Sequence, residues 1–294
     1  MTLQSVLQRL PKDGPERRAI EAGEIDAIID YPSSNVVLFP AARRALRAAA
    51  GRAAVAEAAT THQAAIHNSL LAALPRAEYQ RLFADLEPLT LKFGEVLHEP
   101  RAPIRYVYFP IDCVICLLTT VESNEVTEVG LVGYEGMVGV SLVLGVDVAT
   151  VRALVQAGGT AMRMRAARFH QVFRQCLPLQ HALYRYAHAK LALARQTAAC
   201  SRFHSAEARL ARWLLMTSDR VRSEEFFLTH VFLADMLGVR RETITEAASS
   251  LHQRDLISYC RGHIRILDRK GLEAASCRCY ARIGVRAEAV AAAR

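Results

Sequence analysis

The period of the hydrophobic pattern changes along the chain, and each change marks a different kind of structure. From Leu89 to Met164 apolar and polar residues alternate in short runs: Leu89 to Phe93, Val96 to His98, Tyr106 to Pro110, Cys113 to Val121, Val126 to Val132, Val151 to Gln156 and Thr160 to Met164. Gly, Pro, Asn and Asp separate the runs, the pattern of an all-β sandwich or barrel. Short helical turns precede it, with Leu70, Leu71, Leu74, Tyr79, Leu82, Phe83 and Leu86 as their apolar positions. After Arg165 the period becomes helical. Phe169, Val172, Phe173 and Cys176 space as one helix, interrupted around Pro178. A long helix then begins near Leu179. It carries Leu179, Leu183, Tyr186, Lys190, Leu193, Thr197 and Cys200 at steps of four and three, a heptad a/d pattern. Such a stripe is either a seam between two chains or the inner face of a helix packed on its own β domain.

The chain bends at Arg202-Phe203-His204-Ser205, where Ser205 is placed to cap the next helix. Arg209, Leu210, Trp213, Leu214 and Leu215 form the packing face of that helix. Between Leu228 and Ile257 two short helices are predicted around a tight turn. Thr229 caps the first, and Leu233, Ala234 and Leu237 share one face. Gly238 stands where a left-handed conformation is needed, and Val239 fills the corner. The second helix buries Ile244, Ala247, Ala248 and Leu251. It points Arg240, Arg241, Glu242, Thr243, Thr245 and Glu246 outward near its start. A strand from Leu256 to Tyr259, a turn at Arg261-Gly262 and a strand from His263 to Ile266 follow. This is the order of a winged helix-turn-helix, whose second helix places its first side chains against base edges in the major groove.

The stretch GVRRETITEAASSLHQRDLI, Gly238 to Ile257, resembles the recognition element of the Crp/Fnr family of bacterial transcription regulators, with the R-E-T-I core at Arg241, Glu242, Thr243 and Ile244. The resemblance runs from about Asn68 to Tyr280. It implies an α+β chain: an N-terminal double-stranded β-roll of the cyclic-nucleotide-binding type (63–178), a long dimerisation helix (179–203) and a C-terminal winged helix-turn-helix (204–284), between an extension at 1–62 and a tail at 285–294. It further implies a homodimer on near-palindromic DNA, with RNA polymerase as a partner, acting as activator or repressor. Leu183, Tyr186, Lys190, Leu193 and Thr197 are its expected dimerisation residues. Arg241 and Glu242 match the base-reading positions. Arginine suits guanine O6 and N7, and glutamate can accept from cytosine N4. Arg240, His230, Arg261 and His263 are expected at phosphates. Glu246 departs from relatives with an arginine there, so the preferred half-site should differ at the base it reaches.

Other features narrow the sensor. Gly133-Tyr134-Glu135-Gly136-Met137-Val138-Gly139 is the glycine-rich stretch, which barrel turns explain. Cyclic-nucleotide-binding relatives place a glutamate shortly after a glycine here and an arginine on the facing turn. This chain has Val140 after Gly139, and Arg152 falls two places late, on the strand. Gly136, Gly139 and Arg152 remain the only effector candidates, and cyclic AMP binding by the usual mode is not expected. No cysteine precedes residue 113, which excludes the family's N-terminal iron–sulfur mode, and His98, His170 and His181 give no reason to nominate a haem ligand.

Composition fits this picture. With 294 residues the chain has room for two domains, and 52% hydrophobic residues suffice for real cores. Net charge is +8 with a pI near 9.3, which favours a polyanionic partner. No apolar run reaches the ~18–20 residues of a membrane span, and the N-terminus lacks a signal pattern, so a cytoplasmic protein is expected. The seven cysteines are irregularly spaced. Cys113 and Cys116 sit three apart in a strand, facing opposite sides, and are expected to be buried structural thiols. Cys277 and Cys279 are expected to be more exposed, and two thiols do not make a four-ligand site. No metal or cofactor is therefore expected. No nucleophile–base pairing suggests an enzyme. The rival function is an effector-binding dimer that regulates a partner protein and touches DNA incidentally. Residues 1–62, rich in alanine and arginine toward their end, are expected to form a flexible or loosely helical extension.

Overall fold

The computed structural model describes residues 27–30, 35–38, 67–120, 126–260 and 262–283. Strands β1 (Ala27–Asp30) and β2 (Asn35–Leu38) pair antiparallel, Ile28 opposite Val37 and Ile29 opposite Val36. This strand pair falls where a flexible or loosely helical extension was expected. Its β-branched residues favour a pleated strand, and Pro32-Ser33-Ser34 separates the two runs. The rest of 1–62, and the tail at 285–294, lie outside the described residues.

Helices α1 (Ser69–Ala72) and α2 (Arg76–Phe83) open the first domain. Asn68 is fully buried and caps α1, accepting from the Leu70 and Leu71 amides. Its Nδ2 donates to Pro110 and Gly136 carbonyls, which bolts the helix to the strands. The strands are β3 (Glu87–Leu91), β4 (Val96–His98), β5 (Tyr106–Pro110), β6 (Val114–Thr120), β7 (Val126–Val132), β8 (Arg152–Ala157) and β9 (Gly159–Arg165). They form two antiparallel sheets, β3-β9-β5 and β4-β8-β6-β7. Val107, Phe109, Ile115, Val155 and Ala161 are fully buried.

Helix α3 (Ala166–Gln175) leads to the 27-residue α4 (Leu177–Phe203). Pro178 lies in the first turn of α4, where a missing N–H costs nothing. The two faces of α4 differ from the expected assignment. Leu183, Tyr186 and Leu193 are buried within the single chain, and Lys190 donates to the Leu131 carbonyl at 2.6 Å. The heptad stripe expected to meet a second chain therefore packs within its own chain, on the β-roll through Lys190 and on the second domain at Thr197, which accepts from Arg212 at 2.8 Å. A second stripe faces outward: Leu177, His181, Tyr184, His188, Leu191, Arg195, Ala198 and Arg202 follow one another again at steps of four and three, and all of them are exposed.

The glycine-rich stretch lies under these helices. A Cβ on Gly136 would meet the Tyr186 hydroxyl at 2.1 Å, and one on Gly133 would meet Arg220 at 2.9 Å. Close approach by α4 and by the helix that follows it, and not only the barrel turns the sequence suggested, accounts for both glycines. Gly139 does need its glycine for a turn, with φ +98°.

Helix α5 (Ala206–Val221), capped by Ser205 through the Ala208 amide, starts the second domain. Strand β10 (Glu225–Phe227), helices α6 (His230–Leu237) and α7 (Arg241–Gln253), strands β11 (Ile257–Cys260) and β12 (His263–Ile266), and helices α8 (Arg269–Ala275) and α9 (Cys279–Ile283) complete it. The sheet order is β10-β12-β11. The two domains share one apolar cluster, in which Leu118 and Leu131 of the roll meet Leu210, Trp213 and Leu233. Two polar ties reinforce it. Trp213 donates its indole N–H to Glu128 of β7. Arg220 holds Glu135 at 2.9 Å with both side chains fully buried, and Lys190 completes the group.

Candidate nucleic-acid interface

Helix α6 begins as its sequence dictates: the Thr229 hydroxyl accepts from the Phe232 amide at 3.2 Å. It ends at Gly238, which is left-handed at φ +59°. The Gly238 amide closes the helix on the Asp235 carbonyl, and Val239 follows onto the Ala234 carbonyl. The turn is held from behind, because an Arg209 guanidinium donates to the Leu237 carbonyl.

Helix α7 buries Ile244, Ala247, Ala248 and Leu251, as its period requires. Its opposite face is open. Arg240, Arg241, Glu242, Thr245 and Glu246 are exposed and Thr243 is half-buried. Arg240 occupies the cap position without a side-chain cap bond, so the free amides of the first turn point outward with it. That combination, unpaired helix amides beside two guanidinium groups, suits an anion. Thr245 turns its hydroxyl back to the Arg241 carbonyl at 3.1 Å and also meets His230 Nδ1 at 3.1 Å.

His230 has a different place from the one its position suggested. It is half-buried and stacks on Tyr259 of β11 with ring centroids 4.2 Å apart. Burial, and then the Arg241 charge, push its pKa below the ordinary histidine value, so it stays neutral near pH 7. It joins α6, α7 and the wing. Tyr259 was not singled out in the sequence; its alternation with Ile257 in β11 was the available signal. His263 is exposed at the start of β12. Arg261 lies outside the described residues. At Gly262, with φ +84°, a Cβ would strike the Phe227 ring at 2.7 Å, so Gly262 packs tightly on β10.

The effector candidates are engaged internally. Gly136 lies under Tyr186, and Arg152 pairs with Glu99 at 2.9 Å. His98 is buried on the Tyr106 carbonyl, and His170 pairs with Asp147.

The cysteines divide into two groups. Cys113 and Cys116 are buried in separate apolar clusters, and burial pushes the Cys113 thiol up to about 12. In the second group, Cys200, His204, Cys277 and Cys279 bring one donor atom each to within 4.8 Å of one another. Cys277 is buried and Cys279 half-buried, where greater exposure was expected. The expectation of no metal-ligating group counted only neighbours in sequence, and the fold adds Cys200 and His204 to the pair.

Among known proteins, residues 208–275 match the family model of the Crp-like helix-turn-helix domain. Similar solved structures include FixK2 from Bradyrhizobium japonicum, 15% identical with a TM-score of 0.57, covering 65% of this chain and 98% of that one. The c-di-GMP-responsive global regulator CLP of Xanthomonas campestris is 15% identical with a TM-score of 0.56, covering 66% and 100%. A transcriptional regulator of the CRP/FNR family from Thermus thermophilus is 21% identical with a TM-score of 0.51, covering 65% and 98%. No curated protein matches. No helix among the described residues is long and apolar enough to cross a membrane.

Proposed function

We propose that this chain, which carries a Crp-like helix-turn-helix domain and shares its fold with a CRP/FNR-family regulator, is a regulator of the Crp/Fnr type that binds near-palindromic operator DNA sequence-specifically as a homodimer. The observation that carries this reading is the first turn of α7. Arg240, Arg241 and Glu242 stand exposed there beside unbonded amides, and Arg241 has no ion pair among the described residues. A solvated face needs no such clustering at a helix start, whereas a base-reading helix does. Arg241 takes a guanine and Glu242 a cytosine in each half-site. Arg240, Arg261 and His263 meet phosphate, while Thr243, Thr245 and Glu246 flank the read bases. His230 contributes by holding Thr245 and Tyr259 in place.

The dimer forms through the outer stripe of α4, with Tyr184, His188 and Leu191 at its centre. Their 4-3 spacing and outward position support a parallel two-fold pair. The two α7 helices then lie one turn of DNA apart, roughly 34 Å. RNA polymerase is the further partner. Cyclic AMP does not bind by the usual mode: Val140 stands where a carboxylate is needed, and Arg152 is already paired with Glu99.

Selection from random duplexes, followed by footprinting and light scattering, tests this reading. An inverted-repeat site protected by a dimer is the expected result. A dimer that selects no sequence would instead leave the partner-protein reading standing, and a monomer at micromolar concentration would refute the outer-stripe seam.

A further inference from the structure

We propose that Cys200, His204, Cys277 and Cys279 form a tetrahedral site for one thiophilic divalent metal ion, zinc by its donor set. The four donors come from separate pieces of the chain. Cys200 lies in the last turn of α4 and His204 caps that helix. Cys277 sits in the turn after α8, and Cys279 opens α9. Their donor atoms lie within 4.8 Å of one another. A zinc ion bound at ~2.3 Å to sulfur and ~2.0 Å to nitrogen holds its ligands roughly 3.5–4 Å apart, so a small contraction closes this group on an ion. Three thiolates and one imidazole are a set that structural zinc sites use.

Two further observations point the same way. His204 Nδ1 is buried and has no hydrogen-bond partner among the described residues. A buried ring nitrogen without a partner is unfavourable, and a metal bond removes the penalty. The sulfurs, in contrast, face donors. Gln196 Nε2 donates to Cys279 Sγ at 3.1 Å and to Cys200 Sγ at 3.5 Å, and Arg212 Nη1 donates to Cys200 Sγ at 3.0 Å. Arg212 is itself held by Thr197 at 2.8 Å. Three thiolates around a divalent ion leave one net negative charge, and the buried Arg212 guanidinium offsets it. Amide and guanidinium donors to ligating sulfur are the outer shell that such a site requires.

Other uses of the same thiols fit less well. A disulfide consumes two sulfurs and leaves His204 unexplained. An iron–sulfur cluster spreads its ligands over more than one iron with bridging sulfides between them, and this group is too compact for that. The ion has a mechanical consequence. The whole winged domain lies between His204 and Cys277, so the metal ties both ends of that domain to the end of α4 and closes the loop between them.

The test uses the full chain, purified reduced, and does not depend on DNA binding. Elemental analysis is expected to give one zinc per chain. Cobalt(II) titrated into the metal-stripped protein should produce the intense visible bands and sulfur charge-transfer absorption of a tetrahedral thiolate site, displaced by zinc. Cys279→Ser and His204→Gln should each weaken cobalt binding by at least tenfold. Cys260→Ser removes an exposed thiol outside the group and should bind as the unaltered protein does. Since the titration is read first in the unaltered protein, a variant that fails to fold does not block it. Cobalt that yields no tetrahedral thiolate spectrum while all seven cysteines titrate as free thiols overturns the proposal. So does an isolated protein with an iron chromophore or with a disulfide within the group.

Discussion

On α5, Arg220 is fully buried and grips Glu135 of the β-roll at 2.9 Å. On α7, in the same domain, Arg241 stands in solvent with no ion pair among the described residues. The inward face surrounds its buried carboxylate with partners: Glu135 also accepts from the Gly133 amide and lies 3.5 Å from Lys190. The outward face leaves its charges to solvent. A buried ion pair is a poor source of stability, because desolvation cancels much of the attraction, but it is intolerant of losing one member. An exposed arginine contributes little to the fold and keeps its full hydrogen-bonding capacity for a ligand. The two faces thus divide the work. One locks the orientation of the domain, and the other stays available.

The largest expected effect tests the locked face. Glu135→Ala leaves Arg220 buried without its carboxylate, and should destabilise the protein by about 3–5 kcal/mol in chemical denaturation. Replacing Glu135 and Arg220 together by apolar residues should recover most of that loss, since no orphan charge remains. Arg241→Ala should stay within about 0.5 kcal/mol of the unaltered protein in the same experiment. Equal sensitivity at the two arginines would erase the distinction between the faces.

A DNA-binding measurement should reverse the order. Arg241→Ala is expected to cost about 1–3 kcal/mol on the selected operator and to flatten preference at one base pair per half-site. Arg240→Ala should weaken all sequences alike and lower the salt slope by about one unit. If Arg241→Ala changed neither affinity nor base preference, α7 would be an ordinary solvated helix.

What the sequence disclosed follows from the range of the interactions involved. The helix-turn-helix was legible because its determinants are local: the Thr229 cap, the Gly238 turn and the period of α7 lie within one short stretch. The strands were legible through their alternation, and Pro178 correctly marked the start of α4. The inner stripe of α4 was visible as a stripe, yet its partner was not. Periodicity reports that a face is apolar and leaves open whether the chain's own roll or a second chain covers it. The outer stripe, with histidines and arginines among Tyr184 and Leu191, has a weaker apolar signature and was passed over. Gly136 looked like a turn because nothing local shows that Tyr186, fifty positions on, would need its space. The Cys200–His204–Cys277–Cys279 group was invisible for the same reason, with an entire domain inserted between its halves. The Cys113/Cys116 pair, by contrast, has metal-like spacing and two separate apolar surroundings.

The smallest effect sharpens the inward face through pH. Glu128 is half-buried at the lip of a narrow cavity between β7 and α5, accepting from Trp213 Nε1 at 3.2 and 3.1 Å. Burial pushes its pKa up to about 8, against the lowering influence of Trp213, Arg220, Arg212 and Lys190. The folded state therefore holds a proton that the unfolded chain, near an ordinary glutamate value, gives up. Between those two values folding takes up a proton. The stability is complete below the unfolded value, falls as pH rises, and is fully lost once pH has passed through about 8. Each pH unit separating the two values is worth about 1.4 kcal/mol, and solvent reaching the cavity mouth reduces the observable loss to roughly 1–2 kcal/mol. Glu128→Gln keeps an acceptor for Trp213 and removes the titration. His98 and His230, whose pKa values are lowered, titrate in both proteins, so subtracting the variant's curve removes them. Thermal melts from pH 5 to 9 should show the unaltered protein losing stability relative to Glu128→Gln up to about pH 8, with the difference level beyond it. Parallel curves would mean that Glu128 is ionised in the folded state at neutral pH, and that the inward face pairs this carboxylate as fully as it pairs Glu135.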